Sequence, residues 1–224
     1  MKILITGSSN GIGKATAELF LNKGFEVVGL DKKLATIENQ NYTHYVCDVS
    51  NKEELPDIDN VNILFINAGS QGTADDIKNN LYSVIYTAEK YAFQDSIKSV
   101  LFNASVSAHN GAEFPFYVAS KGGILPYMKN VASKLAKKQI TCNSISCGGV
   151  ITDLNKPVME DKNLWEAIMK VTPMKKWATA EEIAEWVYFL TVINKSMTGE
   201  DLIIDSGEMT LASTLNFVWP ESEL

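Results

Sequence analysis

The sequence predicts an α/β fold in which one parallel β-sheet lies between two helical layers, three layers in all. Short, continuously apolar runs recur along the chain, as expected of strands buried on both faces. They alternate with longer stretches of helical periodicity, which predicts βαβ units with right-handed crossovers and hence a doubly wound sheet. No internal repeat, low-complexity run or Pro/Gly/Ser linker divides the 224 residues, so residues 1–224 read as a single domain.

The first strand is read at residues 2–6, where Lys2-Ile3-Leu4-Ile5-Thr6 enters a core run at once. An amphipathic helix follows at 11–23, then a second strand at 26–30 and a third at 43–47. The connection between Leu30 and Thr43 has room for only a turn or two of helix. The next one is cut short by Pro56, which stops helical continuation. A fourth strand at 62–66 leads to a long helix at 74–93. The fifth strand, 100–103, leads to a second long helix at 115–137. Strands at 141–144 and 202–204 bracket a final helix at 180–193. The second and third crossovers are trimmed relative to the rest.

Composition narrows the function. Apolar residues make up 46% of the chain and charged residues 21%, which fits a packed globule. The net charge is -7 with both signs interspersed, so the surface exerts no long-range pull on nucleic acid. No apolar stretch approaches the length of a bilayer span, and the strand at residue 2 leaves no room for a signal peptide. A cytoplasmic protein that does not engage membranes is expected. Cys47, Cys142 and Cys147 are odd in number and lack metal-type spacing, and His44 and His109 are the only histidines. Reduced thiols and no metal site are expected.

The first strand runs into Thr6-Gly7-Ser8-Ser9-Asn10-Gly11-Ile12-Gly13. Glycines at 7, 11 and 13 allow a tight turn, close approach of backbone to a pyrophosphate, and packing of helix on strand. The helix that follows presents unpaired amides and a positive dipole end. Strand, glycine loop and helix in that order form the context a Rossmann-type dinucleotide site requires. Gly7, Ser9, Asn10, Gly11, Ile12 and Gly13 are therefore cofactor candidates. Asp31 ends the second strand, where a carboxylate bonds ribose hydroxyls and repels a 2′-phosphate. It favours NAD over NADP, although Lys32 and Lys33 beyond it pull the other way.

From these motifs onward the sequence resembles the short-chain dehydrogenase/reductase family nearly end to end. Thr6, Gly7, Gly11 and Gly13 match its TGxxxGxG pattern. Asp48-Val49 resembles its adenine contact, and Ile66-Asn67-Ala68-Gly69 its NNAG motif with one change. Asn80 best matches its active-site asparagine, and Tyr117-Val118-Ala119-Ser120-Lys121 its YxxxK motif. The run from Asn143 to Thr152 is similar to the family's N-x-x-x-PG-x-x-x-T segment. The resemblance implies about seven strands in the order 3-2-1-4-5-6-7, and cofactor contacts from Asp48, Val49, Asn67, Ala68, Gly69, Tyr117, Lys121, Gly148, Val150 and Thr152. It implies hydride transfer between a nicotinamide and a carbonyl or secondary alcohol. Cys147 departs from the family's proline, and Ser206 and Glu208 flank Gly207 where the family has more glycine.

The chemistry suits the residues. Tyr117 and Lys121 stand four apart on one helix face. A phenol with a pKa of ~10 is a poor base at neutral pH, and a neighbouring ammonium favours its ionised form. Tyr117 then serves as general acid or base. Ser105 would hold the substrate oxygen, with Ser107 as the alternative, and Lys121 would also bond the nicotinamide ribose. By resemblance Asn80 would anchor a water in a proton path.

The stretch from about 153 to 178, with Met and Trp at helical spacing, is expected to form a lid over a mostly apolar small-molecule substrate. His109, Glu113, Phe114 and Phe116 are candidates for the opposite wall. His109 reads better as an ordinary loop residue than as a catalyst. The apolar tail at 215–220 is expected to pack on its own domain or on a second subunit. The family's habit of pairing its long helices between subunits implies a homodimer or homotetramer. A dinucleotide-binding regulatory protein of the same fold remains the alternative function.

Overall fold

The computed structural model describes residues 1–112 and 114–211. In chain order the elements are β1 (Lys2–Thr6), α1 (Gly11–Asn22), β2 (Glu26–Asp31), β3 (Tyr42–Val46), β4 (Ile63–Ile66), α2 (Ser83–Tyr91), β5 (Ser99–Asn103), α3 (Ser107–Asn110), α4 (Pro115–Leu135) and β6 (Thr141–Cys147). There follow β7 (Val150–Ile151), α5 (Lys156–Glu160), α6 (Lys162–Val171), β8 (Ala178–Thr179), α7 (Ala180–Tyr188), β9 (Asp201–Ile204) and α8 (Glu208–Leu211).

The main sheet is parallel throughout, in the order β3-β2-β1-β4-β5-β6-β9. The seventh strand of the sheet is β9 because β7 and β8 pair separately as a short two-stranded ribbon. Ile3 on the central β1 lies opposite Val27 on one side and Ile63 on the other. Side chains alternate between faces, so a continuously apolar strand feeds two cores. Leu4, Leu64, Ile66, Val100 and Phe102 face a core shared with Val84, Tyr91, Ile124 and Met128 of α2 and α4. Ile3, Ile5, Ile63, Phe65 and Leu101 face the other, shared with Phe20 of α1 and Ile183 and Val187 of α7.

Several boundaries differ from the expected ones for local physical reasons. The β2–β3 connection contains no helix at all, and the passage to β4 holds one 3₁₀ turn, Lys52–Glu54, capped by Asn51. The expected helix at 74–93 opens with a π-helical turn, Ile77–Tyr82, before α2 continues it. The final helix likewise ends in a π-turn, Phe189–Ile193. The sixth strand runs three residues beyond its expected end at Ser144, and all of Thr141–Cys147 is buried. The 153–178 segment contains α5 and α6, the latter capped by Asp161 Oδ1, which accepts from the amides of Asn163 and Leu164. Among the described residues no helix is long and apolar enough to cross a membrane.

Strand order reverses at β1, whose neighbours β2 and β4 lead the chain in opposite directions across the sheet. At such a switch point the loops beyond the carboxyl ends of adjacent strands diverge and leave a crevice. The glycine loop after β1 lines one side of it.

Candidate active site

The crevice encloses about 860 Å³ and runs from Asp31 and Asp48 at one end to Trp177 and Glu208 at the other. Its floor is built by the glycine loop and the end of β4. Thr6 Oγ1 accepts from the backbone amides of Asn67 (2.9 Å) and Ala68 (3.0 Å), and Asn67 Nδ2 donates to Thr6 O at 3.0 Å. Gly7 has φ +71°, and a Cβ there would press on Ala68 and Asn67. A Cβ on Gly13 would overlap the carbonyl oxygen of Gly7, so that glycine packs α1 against β1. Asn10, the N-cap of α1, makes no side-chain capping bond, and Asn10, Gly11 and Ile12 line the crevice. Uncapped helix amides facing a cleft are the feature that phosphate groups use.

At the β2 end, Asp31 Oδ2 accepts from the amide of Ser9 at 3.0 Å and Oδ1 from the amide of Lys33 at 2.9 Å. Asp48 accepts from the Ser50 hydroxyl at 2.6 Å and pairs with Lys32 Nζ at 2.9 Å. Partial burial works to raise the Asp48 pKa, but the bonds from Ser50 and Lys32 outweigh it and hold the carboxyl below its usual range. Lys32 is thereby tied to Asp48, while Lys33 stays on the crevice wall.

In the middle stand the tyrosine and lysine. Lys121 Nζ lies 5.7 Å from the centroid of the Tyr117 ring and donates to the carbonyl of Asn103 at 2.9 Å. Lys121 is 5% exposed, and burial pushes its pKa down to about 8. Cys147, where the family has proline, is also buried, and burial pushes its thiol up to about 12. Burial thus favours its neutral thiol over the thiolate that a nucleophile needs. Asn103 Nδ2 donates to Asn67 Oδ1 at 2.8 Å, which joins the ends of β4 and β5 beneath the lysine.

Of the two serine candidates, Ser105 lines the crevice, and its hydroxyl donates to Ser107 Oγ at 3.1 Å. Ser107 is fully buried behind it. Asn80 is fully buried and does not line the crevice. Its Oδ1 accepts from the Ser70 amide at 2.7 Å, and its Nδ2 donates to Ser70 O and to Ser120 Oγ, both at 3.0 Å. It sits in the π-turn, where a widened helical ring leaves carbonyls without their usual partners.

At the far end Gly148 and Gly149 follow β6. A Cβ on Gly149 would overlap the Trp177 indole, and one on Gly148 would press on Asp205 at 2.8 Å. The two glycines thus admit Trp177 and the Asp205–Glu208 turn to the crevice. Leu154, Val158, Ile168 and Val171 complete an apolar wall.

The structure therefore brings together on the crevice wall Gly7, Asn10, Gly11, Ile12, Asp31, Asp48, Val49, Asn67, Ala68, Gly69, Ser105, Tyr117, Lys121, Gly148, Val150 and Thr152. Ser9 and Gly13 lie behind the loop, and Asn80 behind the Tyr117 helix. The expected opposite wall is not where sequence reading put it. His109 pairs with Asp201 Oδ2 at 2.7 Å, and Phe114 packs near Gly72, so neither lines the crevice, nor does Phe116. Glu113 and the 215–220 tail lie outside the described residues. Asn103 and Glu208 were not anticipated, and Trp177 only as part of the 153–178 segment. Asn103 acts through its carbonyl, which every residue has. The other two are brought in by the paired glycines, the one signal that pointed to them.

The chain is similar to known proteins over nearly its whole length. A family model described as enoyl-(acyl carrier protein) reductase matches residues 58–208. The chain is 30% identical to a 3-oxoacyl-(acyl-carrier-protein) reductase, FabG, of Rickettsia bellii, over 91% of this chain and 95% of that protein. The chain belongs to the short-chain dehydrogenase/reductase family. A solved short-chain dehydrogenase family protein from Francisella tularensis is 29% identical, with a TM-score of 0.81 over 93% of this chain and 98% of that one. A 4-hydroxyisoleucine dehydrogenase complexed with NADH is 26% identical, with a TM-score of 0.83 over 92% and 98%. The family's members are oxidoreductases that use a nicotinamide dinucleotide, and the crevice residues of this chain fit such a group. The glycine cradle tolerates no Cβ at Gly13, the first turn of α1 lacks a side-chain cap, and a carboxylate ends β2.

Proposed function

We propose that the chain is an NAD(H)-dependent oxidoreductase that interconverts a carbonyl and a secondary alcohol, with Tyr117 as general acid and base. The observation that carries this reading is Lys121, a buried ammonium next to the Tyr117 ring and hydrogen-bonded to the Asn103 carbonyl. A buried cation without a counter-ion is costly to keep, so one retained in a cleft points to chemistry that uses its charge. Here it stabilises a phenolate one helical turn away and retains donors for ribose hydroxyls.

A bound nicotinamide supplies the hydride donor or acceptor. Gly11, Ile12 and the first turn of α1 hold its diphosphate, and Asp31 bonds the adenosine ribose. Ser105 donates to the substrate oxygen, where negative charge develops. Tyr117 Oη gives its proton to that oxygen in reduction and takes it back in oxidation. Asn80 fixes the turn that anchors the proton path. Asp31 supports NAD over NADP, since its charge repels a 2′-phosphate and Lys32 is neutralised by Asp48.

The segment at 153–178, with α5 and α6, closes over the substrate as a lid, within one domain spanning the chain. Exposed Tyr82, Phe93 and Phe116 on the α2 and α4 side support pairing of two subunits there. Replacing Tyr117 with Phe tests the central assignment: NADH binding persists while carbonyl reduction falls by at least about 10³-fold, as expected on loss of a positioned general acid. Unimpaired turnover removes Tyr117 from the mechanism.

A further inference from the structure

We propose that Glu208 is the specificity-determining group of this crevice. Its carboxylate accepts a hydrogen bond from a hydroxyl or ammonium beside the substrate's reacting carbon, and it repels substrates carrying a carboxylate there. This rests on the reading of the crevice as a carbonyl and alcohol site.

Position comes first. Asp205 accepts from the amides of Gly207 (2.9 Å) and Met209 (2.7 Å), which fixes the turn that carries Glu208. Gly148 lets that turn lie against the end of β6, and Glu208 Oε2 stands 3.6 Å from where a Gly148 Cβ would be. Gly148 lines the same crevice as Ser105 and Tyr117. The carboxylate therefore looks onto the side of the crevice opposite the adenine-side acids.

Orientation comes next. Oε1 accepts from Thr172 Oγ1 at 2.6 Å and from Trp177 Nε1 at 3.1 Å. Both donors are neutral and buried, so they hold the side chain without cancelling its charge. Among the described residues no donor reaches Oε2 and no ammonium pairs with Glu208. A carboxylate oxygen has room for two donors, so Oε2 keeps its full accepting capacity.

Charge bookkeeping of the wall separates Glu208 from the other acids. Asp48 is paired with Lys32, and Asp153 with Lys156 at 2.7 Å. Asp31 receives one loop amide on each oxygen and ends β2, at the other end of the crevice. Among the described residues of the wall, Glu208 alone combines an unshared oxygen with no counter-ion, in a crevice also lined by the apolar Val158, Ile168 and Val171. In such surroundings a charge interacts more strongly than in water, and a site built to accept a hydrogen bond discriminates against molecules unable to donate one.

A purely structural role would have Glu208 clamp Trp177 and Thr172 and nothing more. Glu208→Gln separates the two, because the amide oxygen keeps both clamping bonds while the charge is lost. Three short ketones of matched length are compared, bearing an adjacent hydroxyl, an adjacent ammonium or an adjacent carboxylate, with NADH and NADPH. The wild-type protein is expected to favour the hydroxyl and ammonium compounds over the oxo acid by about 100-fold in kcat/KM. In Glu208→Gln the ammonium-to-carboxylate ratio should fall at least about 10-fold, while Glu208→Asp keeps the wild-type order. An unchanged ratio in Glu208→Gln overturns the proposal. Preference for the ammonium compound alone identifies the cationic class, and equal use of both donors a polyhydroxylated one.

The same compounds are titrated against tryptophan fluorescence, which reads binding without turnover, with Trp177→Phe as the control that isolates Trp177 among the four tryptophans. If no ketone is reduced with either nicotinamide, the oxidoreductase reading fails and the titration alone decides the role of Glu208. Selective quenching by the hydroxyl or ammonium compound, lost in Glu208→Gln, supports it; equal quenching by all three overturns it.

Discussion

Asn80 Nδ2 donates to Ser120 Oγ at 3.0 Å, and Ser120 Oγ in turn donates to the carbonyl of Tyr117 at 2.7 Å. One buried amide thus joins the π-turn before α2 to the helix that carries Tyr117 and Lys121. Removing it orphans the Ser70 amide as well. Asn80→Ala should cost about 2–4 kcal/mol, since each buried polar group left unpaired carries a desolvation penalty. The melting temperature should fall by roughly 10 °C. An unchanged melting curve would show that the tie contributes nothing.

Lys121 predicts a pH dependence. Burial lowers its pKa to about 8 from the ordinary 10.5. Between those values the unfolded chain binds more protons than the folded one, so this group makes stability rise with pH. The stabilisation is complete above the unfolded value and is lost as pH falls through about 8. Lys121→Met should remove the rise. Below pH 8 the variant should gain up to roughly 3 kcal/mol, less the cost of leaving the Asn103 carbonyl without its donor. Denaturant titrations of both proteins from pH 6 to 11 measure the difference; parallel profiles would refute it.

Gly13→Ala sets a methyl group against the Gly7 carbonyl, and neither backbone can yield without separating α1 from β1. Overpacking of this kind costs typically ~1–3 kcal/mol, and a rigid backbone neighbour puts this site at the upper end. Dinucleotide binding, followed by NADH fluorescence, should weaken by at least about 10-fold alongside the loss of stability. Wild-type binding in the folded variant would mean the loop is not the phosphate cradle.

Asp31→Ser removes the charge that opposes a 2′-phosphate and leaves Lys33 nearby on the same wall. The ratio of kcat/KM for NADPH over NADH should rise by about 10-fold or more. Because Asp31 also holds the Ser9 and Lys33 amides, NADH should bind more weakly in absolute terms. A wild-type protein that already prefers NADPH would reverse the cofactor assignment.

The sheet was legible because buried parallel strands such as Ile63–Ile66 have no solvent face to blur their apolar runs. The glycine loop was legible because it follows β1 directly and opens α1. Helix ends were less so. Nothing in the periodicity of residues 74–93 distinguishes a π-turn from an α-turn, since Asn80 earns its place through partners 10 and 40 residues away. The choice between Ser105 and Ser107 depended on which hydroxyl reaches open space, a tertiary fact. In sequence Glu208 is only a departure from the family's glycines, and it is Gly148 and Gly149, by what they leave room for, that bring its turn to the crevice. The wall expected from His109 failed because a carboxylate on β9, 92 residues away, captures the imidazole.

The bare β2–β3 crossover has a bearing on how the protein breathes. With no helix laid over it, β3 is an edge strand bonded on one side only, and Tyr45 and Val46 are left largely to water. Its amides should exchange with deuterium well before those of β1 or β4, through local fraying rather than global unfolding. Asp48 and Val49 come immediately after it, so a dinucleotide gripping those two residues would tether the loose margin. Occupancy of the crevice would then be legible as slowed exchange at 42–46, far from any reacting atom.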